Sequence, residues 1–544
     1  MQNEYFSLWL GKWTSAIDWT AAVMGTHLSA TLSSFSHSLT YTMPRTFDQT
    51  RKLDVEAQIV ENEINKYFAQ SITYYFGEDY LSIRNQAYDD ILWVVLGWLQ
   101  SIQFITAHGE SRYPPSGDAA HGKSNWHARQ FIPAFAHRAR VFYELAEQGW
   151  DWRLCGGGMT WNPRLLPYKN AITNELFISA SVAMYLHFPG DSNCSPFMGA
   201  ERERPDWETP RAEELGDERA CTERLPSTYD PVYLTNAING YDWLANSGMT
   251  NEQGLYVDGF HIKDYARNHS NVECNERDEM VYTYNQGVLL SGLRGLWEAT
   301  GNATYLEDGH ELVRNVILGT GWKTDNTRAT HTFTSRPASR IKAKSSFTEP
   351  WAGLGAHGIL TELCDPSGTC TQNDQTFKGI FFHHLTAFCT RLPIAPIQPG
   401  KTHAASKIVA KLHRNSCGQY TPWVVHNAQA ALGTRDHKGR FGMWWGAAPE
   451  MEVTTSTEQR DQLLPARAVD YRNDPALVPQ SFSDEKREGA DGEFRMHLDG
   501  HTSTRGDLND RGRGRTVETQ GGGVAVVRAM WEFLQTEEED AFGV

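Results

Sequence analysis

The chain has no excess of basic charge. Its 544 residues carry 50 Lys and Arg against 66 Asp and Glu, a formal net charge of −16. Phosphate binding needs a basic footprint, so a nucleic-acid partner is excluded. None of its eight cysteines forms a CxxC, which argues against a structural zinc site and for no metal. Strand-type alternation is scarce and no fixed-period repeat is visible, which weighs against an α-solenoid. No run of about 18 uncharged apolar residues occurs, so no transmembrane segment is expected. The start, MQNEYFSLWLGKW, lacks the parts of a signal peptide, and the acidic end, LQTEEEDAFGV, lacks the tail of a lipid-anchor signal.

Several features point to an oxidising compartment. The cysteine count is even and the spacing wide. In CDPSGTC (364–370), turn residues between the two cysteines suit a small closed loop; the other pairings cannot be read from the sequence. Asn193, Asn268 and Asn302 lie in N-x-S/T sequons. The expectation is a secreted or cell-wall protein whose signal peptide is missing from this chain.

What is abundant is helical period. Apolar residues recur at three- and four-residue intervals over 15–40, 54–76, 87–107, 128–148, 169–187, 230–247, 282–300, 303–319, 376–391, 402–415, 422–432 and 522–536. Many of these stretches pair across short Gly- or Pro-bearing turns. A dozen helices in one large domain suggest an all-α toroid, with inner helices around a cleft and outer helices behind. Polar stretches at 189–228 and 434–520 read as solvated insertions. GGGVAVVRAMWEFL, after the second, is too apolar to stand alone and is expected to pack back. The reading is one domain over 1–536 with an acidic tail at 537–544.

One helix begins AYDDILWVVLGWL (87–99). Asp89 and Asp90 stand side by side at its start, followed by an apolar run. Acidic residues suit a helix N-terminus by the macrodipole alone. In a pocket of low dielectric, however, mutual repulsion would split them into an acid and a carboxylate. That is the pair glycoside hydrolysis requires. A DDxxD magnesium box, as in all-α terpenoid synthases, is broken here because its fifth position is Trp93. A ring beside the acids suits the face of a pyranose better. The aromatic-rich composition, 18 Trp, 21 Tyr and 24 Phe, fits a large core and also a ring-lined sugar groove.

Two other stretches gather rings and amides at helix starts. GGGMTWNPRLLPYKNAITNELF (156–177) offers Thr160, Trp161, Asn162, Lys169, Asn170, Asn174 and Glu175. YTYNQGVLLSGL (282–293) offers Tyr284, Asn285 and Gln286. Each residue alone is equally a cap or a satisfied core amide; together they read as the polar floor of a pocket.

These stretches, with YTYNQGVLLSGLRGLWEATGNATYL and FKGIFFHHL, occur in an order that resembles glycoside hydrolase family 76. The family comprises α-1,6-mannanases and includes fungal cell-wall proteins. The resemblance runs from about residue 54 to 391. It implies an (α/α)6 barrel, no cofactor, and retaining endo-cleavage of α-1,6-mannan or manno-oligosaccharides. It further implies Asp89 as nucleophile and Asp90 as acid and then base. Candidates for the sugar sites are Trp93, Trp161, Asn162, Asn170, Asn174, Tyr284, Asn285 and Gln286. Lys378 faces either the cleft or a helix surface, and His383–His384 reads as structural. Two alternatives stand beside hydrolysis. One is a wall transglycosidase that moves GPI-linked mannoproteins onto glucan, with wall glucan or a GPI glycan as acceptor. The other is a non-catalytic mannan-binding wall protein.

Overall fold

Every helical stretch read from the sequence is a helix in the computed structural model, which describes residues 1–39, 55–77, 86–114, 126–191, 227–322, 352–447 and 507–542. In chain order the long helices are α1 (Asp18–Ser38), α2 (Val55–Gly77), α3 (Tyr88–Arg112), α4 (Ile132–Ala146), α5 (Ala171–His187), α6 (Pro231–Asn246), α7 (Thr283–Thr300), α8 (Thr304–Gly319), α9 (Gln372–Phe388), α10 (Lys407–Gly418), α11 (Thr421–Gly433) and α12 (Val517–Phe542).

Their packing closes a ring. Helix α1 packs on α3, α3 on α5, α5 on α7, α7 on α9, α9 on α12, and α12 back on α1. Helices α2, α4, α6, α8 and α11 pack behind α1, α3, α5, α7 and α12 respectively. Inner and outer helices alternate from α1 to α9, and α10 and α11 then precede the last inner helix, α12; this is the expected (α/α)6 barrel. The apolar C-terminal helix completes the inner ring, as its composition required.

Glycine sets the spacing inside that ring. A Cβ on Gly287 of α7 would stand 2.5 Å from the Phe381 Cα of α9. A Cβ on Gly379 of α9 would stand 2.7 Å from the Gly522 Cα of α12. Any side chain at these positions would push the helices apart, and close packing leaves no room for that.

Helix ends follow ordinary chemistry. Asp230 accepts from the Val232 N–H at the start of α6, with Pro231 in the first turn. Thr371 and Asp374 form a capping box on α9. Gly301, at φ 73°, ends α7 in the left-handed region.

Short strands occupy the loops. β1 (Phe6–Ser7) pairs with β2 (Lys12–Trp13) near the N-terminus. β3 (Tyr168–Asn170), β4 (Gly259–His261) and β5 (Glu276–Asp278) form an antiparallel sheet with Lys169 opposite Phe260 and Phe260 opposite Arg277. β6 (Gly355–Ala356) pairs with β7 (Ile359–Leu360). The helix expected from 169 therefore starts two residues later, because Tyr168–Asn170 pairs with β4 first.

Two expectations need adjusting. Helix α3 is long and apolar enough to cross a membrane by length and hydropathy, although no such stretch was expected; here most of that stretch is buried among its neighbours. The segment 434–520 is not solvated at its flanks. Phe441, Met443, Trp444 and Trp445 are buried, and so is Arg515. The Arg515 guanidinium donates to the carbonyls of Thr434 (2.6 Å) and Arg440 (2.9 Å) and to Asp510 (2.9 Å), and it pairs with Asp507. It stitches the two flanks together. The middle of that segment and most of 189–228 lie outside the described residues, as do Asn193, Cys194 and Cys221.

Cys364–Cys370 is a disulfide, as the small-loop reading expected. Cys155–Cys274 and Cys389–Cys417 are the other described pairs. Asn268 and Asn302 are exposed.

Candidate active site

The N-termini of the inner helices meet at one mouth of the barrel. Glu518 of α12 accepts from Thr20 of α1 (2.9 Å) and from Gln372 of α9 (3.1 Å). The Trp19 indole of α1 donates to Asn373 of α9 (2.8 Å) and stacks on Trp93 of α3, centroids 5.7 Å apart. Tyr284 of α7 stacks on Phe377 of α9 at 3.8 Å. The loop leading into α5 is tied to the start of α3, where the Tyr88 N–H donates to the Trp161 carbonyl (2.8 Å). Converging helix N-termini present backbone N–H groups and positive dipole ends to whatever occupies this mouth.

Asp89 and Asp90 are the second and third residues of α3, inside this mouth. Asp89 is buried and Asp90 half-buried. The Trp161 indole Nε1 donates to Asp89 Oδ2 at 3.1 Å, and the Asp90 backbone N–H donates to Asp89 Oδ1 at 2.9 Å. Each Asp89 oxygen thus accepts from an N–H, an arrangement that orients a carboxylate acting as acceptor.

The loop that delivers Trp161 is built for close approach. Gly156, Gly157 and Gly158 all have positive φ, and a Cβ on Gly158 would meet the Trp243 ring at 2.6 Å. Lys169 is buried below, and its ammonium donates to the Gly158 carbonyl. Burial lowers the Lys169 pKa to about 8, against an opposing pull from Asp151.

The remaining candidates divide. Asn174 Oδ1 accepts from the Met159 N–H (2.7 Å), and its Nδ2 donates to the carbonyls of Met159 (3.2 Å) and Asn170 (2.8 Å). Gln286 does the same to Tyr256: Oε1 accepts from its N–H (2.8 Å), and Nε2 donates to the carbonyls of Tyr256 (2.8 Å) and Tyr282 (3.0 Å). Both amides are fully buried, and each clamps a loop through these backbone bonds. Asn427 on α11 makes the same clamp on Leu360 (2.8 Å) and Gly358 (3.0 Å). Asn162 Oδ1 accepts from the Arg164 N–H (2.9 Å) and forms a turn. Trp93 and Tyr284 are buried in ring stacks, so they shape the wall of the lumen; Trp19, which the sequence did not single out, is the half-exposed ring over Trp93. Asn170 and Asn285 are buried with amide atoms that have no protein partner among the described residues: Oδ1 of Asn170 and both amide atoms of Asn285. Such groups call for water or ligand.

Three further polar groups prove internal. Lys378 is buried against Asp365 at 2.5 Å and does not face the cleft. Beside it, Glu362 accepts from the Thr283 backbone N–H (3.1 Å) and from the Thr283 hydroxyl. Burial pushes the Glu362 pKa up to about 8, opposed by the Lys378 charge. His384 is buried and bonds Ser291 at 2.8 Å; burial drops its pKa to about 3, so it stays neutral. Among the described residues one cluster has metal-ligand spacing, His310, His413 and Cys417. The Cys417 sulfur is bonded to Cys389, which removes it as a thiolate ligand.

An (α/α)6 barrel with two adjacent aspartates at its mouth, one carboxylate held by two N–H donors, is the class this architecture defines. The sequence model of glycosyl hydrolase family 76 matches residues 226–463, a span that holds the last two of the four motifs on which the resemblance was read. The mannan endo-1,6-alpha-mannosidase DFG5 of Saccharomyces cerevisiae is 25% identical over 299 residues, 53% of this chain and 44% of that protein. The chain thus aligns with less than half the length of that relative. Among solved structures, an inactive variant of the alpha-1,6-mannanase GH76A of Salegentibacter sp. HEL1_6 with alpha-1,6-mannotetrose superposes with TM-score 0.49 at 14% identity, covering 98% of this chain and 96% of that one. Dfg5 from Chaetomium thermophilum in complex with glucosamine superposes with TM-score 0.45 at 13% identity, covering 96% and 82%.

Proposed function

We propose that this chain is a glycoside hydrolase of the family-76 type that cuts α-1,6-mannan with retention of configuration. The observation that carries the reading is Asp89, held by the Trp161 indole and the Asp90 N–H at the barrel mouth. The Asp89 carboxylate attacks the anomeric carbon, the glycosidic C–O bond breaks, and the Asp90 carboxyl gives its proton to the departing oxygen. A water then attacks the mannosyl-enzyme, Asp90 takes back a proton, and Asp89 is released as carboxylate. Trp19 supplies a half-exposed ring at the mouth, and Oδ1 of Asn170 and the amide of Asn285 are the candidates to meet sugar hydroxyls. The disulfides fit an oxidising compartment such as the cell exterior.

A digest of defined α-1,6-manno-oligosaccharides, read by mass, tests this. Wild type releases shorter oligosaccharides. Asp89→Asn and Asp90→Asn each lose at least about 10³-fold in rate. Unchanged rates in both variants defeat the reading. A glycan acceptor added to the same digest separates hydrolysis from transfer, because the mannosyl-enzyme accepts a sugar hydroxyl in place of water. Tight mannan binding without turnover by wild type would mark a binding protein.

A further inference from the structure

A second groove lies outside the barrel mouth, between the loop after α4 and the outer helix α6. Its volume is about 460 Å³, and Trp150, Trp152, Trp243, Asn239, Asp242 and Asn246 line it. Trp152 is 69% exposed, and Trp150 meets it edge-on with centroids 5.1 Å apart. The wall is fixed. The Trp243 indole donates to the Cys155 carbonyl at 3.1 Å, and Cys155 is bonded to Cys274 across 119 residues of sequence. Trp243 also packs where a Cβ on Gly158 would otherwise stand.

The chemistry of this lining selects its ligand. Among the described residues no cation lines the groove and the one charge is Asp242, so phosphates and other anions are disfavoured. Asn239 and Asp242 make no side-chain hydrogen bond among the described residues, and the Trp150 indole N–H is buried without a partner there. Rings with both donors and acceptors around them match a neutral polyol that has one apolar face.

We infer that this groove is a second carbohydrate site, which binds a neutral hexopyranose chain with Trp152 stacked on a sugar face and Asn239 and Asp242 bonded to its hydroxyls. On the reading of the mouth given above, which this inference extends, the chain it holds is α-mannan. The loop that builds its wall runs on to Trp161 and so to Asp89, and a polymer seated there stays tethered beside the cutting mouth.

The test uses full-length Asp89→Asn/Asp90→Asn protein, in which turnover is removed. Its retardation in native gels containing α-mannan is compared with that of the same protein carrying Trp152→Ala or Trp152→Phe. Trp152→Ala is expected to weaken retention about five- to tenfold, and Trp152→Phe to restore most of it. An unchanged thermal midpoint is expected for an exposed ring, and checks folding. Equal retention with and without Trp152 places all binding in the mouth and overturns the inference. So does a Trp152-dependent affinity for Pro-rich peptide with none for any neutral glycan. Gels of β-glucan and α-glucan run in parallel keep the two readings apart. Trp152-dependent retention on those polymers, with none on mannan, upholds the groove while failing the mannan reading.

Discussion

Trp161 donates its indole N–H to Asp89 at 3.1 Å, although 72 residues separate them in sequence. A loop and a helix start that share no local structure are brought together by two bonds, this one and the Tyr88 N–H to Trp161 carbonyl bond. The aromatic residue expected to touch sugar therefore also orients the carboxylate proposed as the nucleophile. Trp161→Phe keeps the ring and removes the donor. Hydrogen bonds to charged groups contribute about 1.5–3 kcal/mol, so kcat should fall about 10- to 100-fold. Steady-state kinetics on α-1,6-manno-oligosaccharides measure it. A fall in KM alone, with kcat intact, would show that the bond does not serve the reaction.

The amide clamps should report as stability. Asn174→Ala leaves the buried N–H and C=O of Met159 without their partner. A loss of about 2–4 kcal/mol in denaturant unfolding is expected. Gln286→Ala should behave alike at Tyr256. A variant with native stability and a raised KM would return Asn174 to the role of sugar reader.

Gly158→Ala combines a φ of 83° with a contact of 2.6 Å to the Trp243 ring. Both effects oppose the substitution, so a loss of about 2–4 kcal/mol is expected, with reduced activity because the same loop carries Trp161. Gly156→Ala is the control. It also has positive φ, 67°, but a Cβ there meets nothing within 4 Å. Equal losses in the two variants would show that the ring contact contributes nothing.

The buried Glu362 makes a pH signature. Its folded pKa is raised from 4.5 to about 8. The native state then binds a proton that the unfolded chain releases between these values. The contribution to stability is fully present below 4.5 and is lost as pH rises through 8. Glu362→Gln keeps an acceptor for Thr283 and removes the titration. Denaturant midpoints at about pH 5 and about pH 8 should converge in the variant relative to wild type. An unaltered slope would place the titration elsewhere.

The barrel was legible because its helices are long and periodic, and the place of Asp89–Asp90 at a helix start was legible because two acids precede an unbroken apolar run. The Cys364–Cys370 loop was legible because its partners are local. The functions of Asn174 and Gln286 were not, since each clamps a backbone segment 15 or 30 residues away and an amide at a helix start looks the same whether it clamps or binds. The Trp19–Trp93 stack was not legible because it depends on how α1 packs on α3, helices whose rings lie far apart in the sequence. The flanks of 434–520 carry no period because they are held by Arg515 and by aromatic burial, which leave no periodic trace.

The central claim is that Asp89 forms a covalent mannosyl intermediate with Asp90 as its acid and base. The anomeric configuration of the newly released reducing end tests it most directly, followed by proton NMR before mutarotation during cleavage of an α-1,6-manno-oligosaccharide. Two displacements at the same carbon predict that the α-anomer appears first. First appearance of the β-anomer would mean a single displacement by water, and would contradict the account.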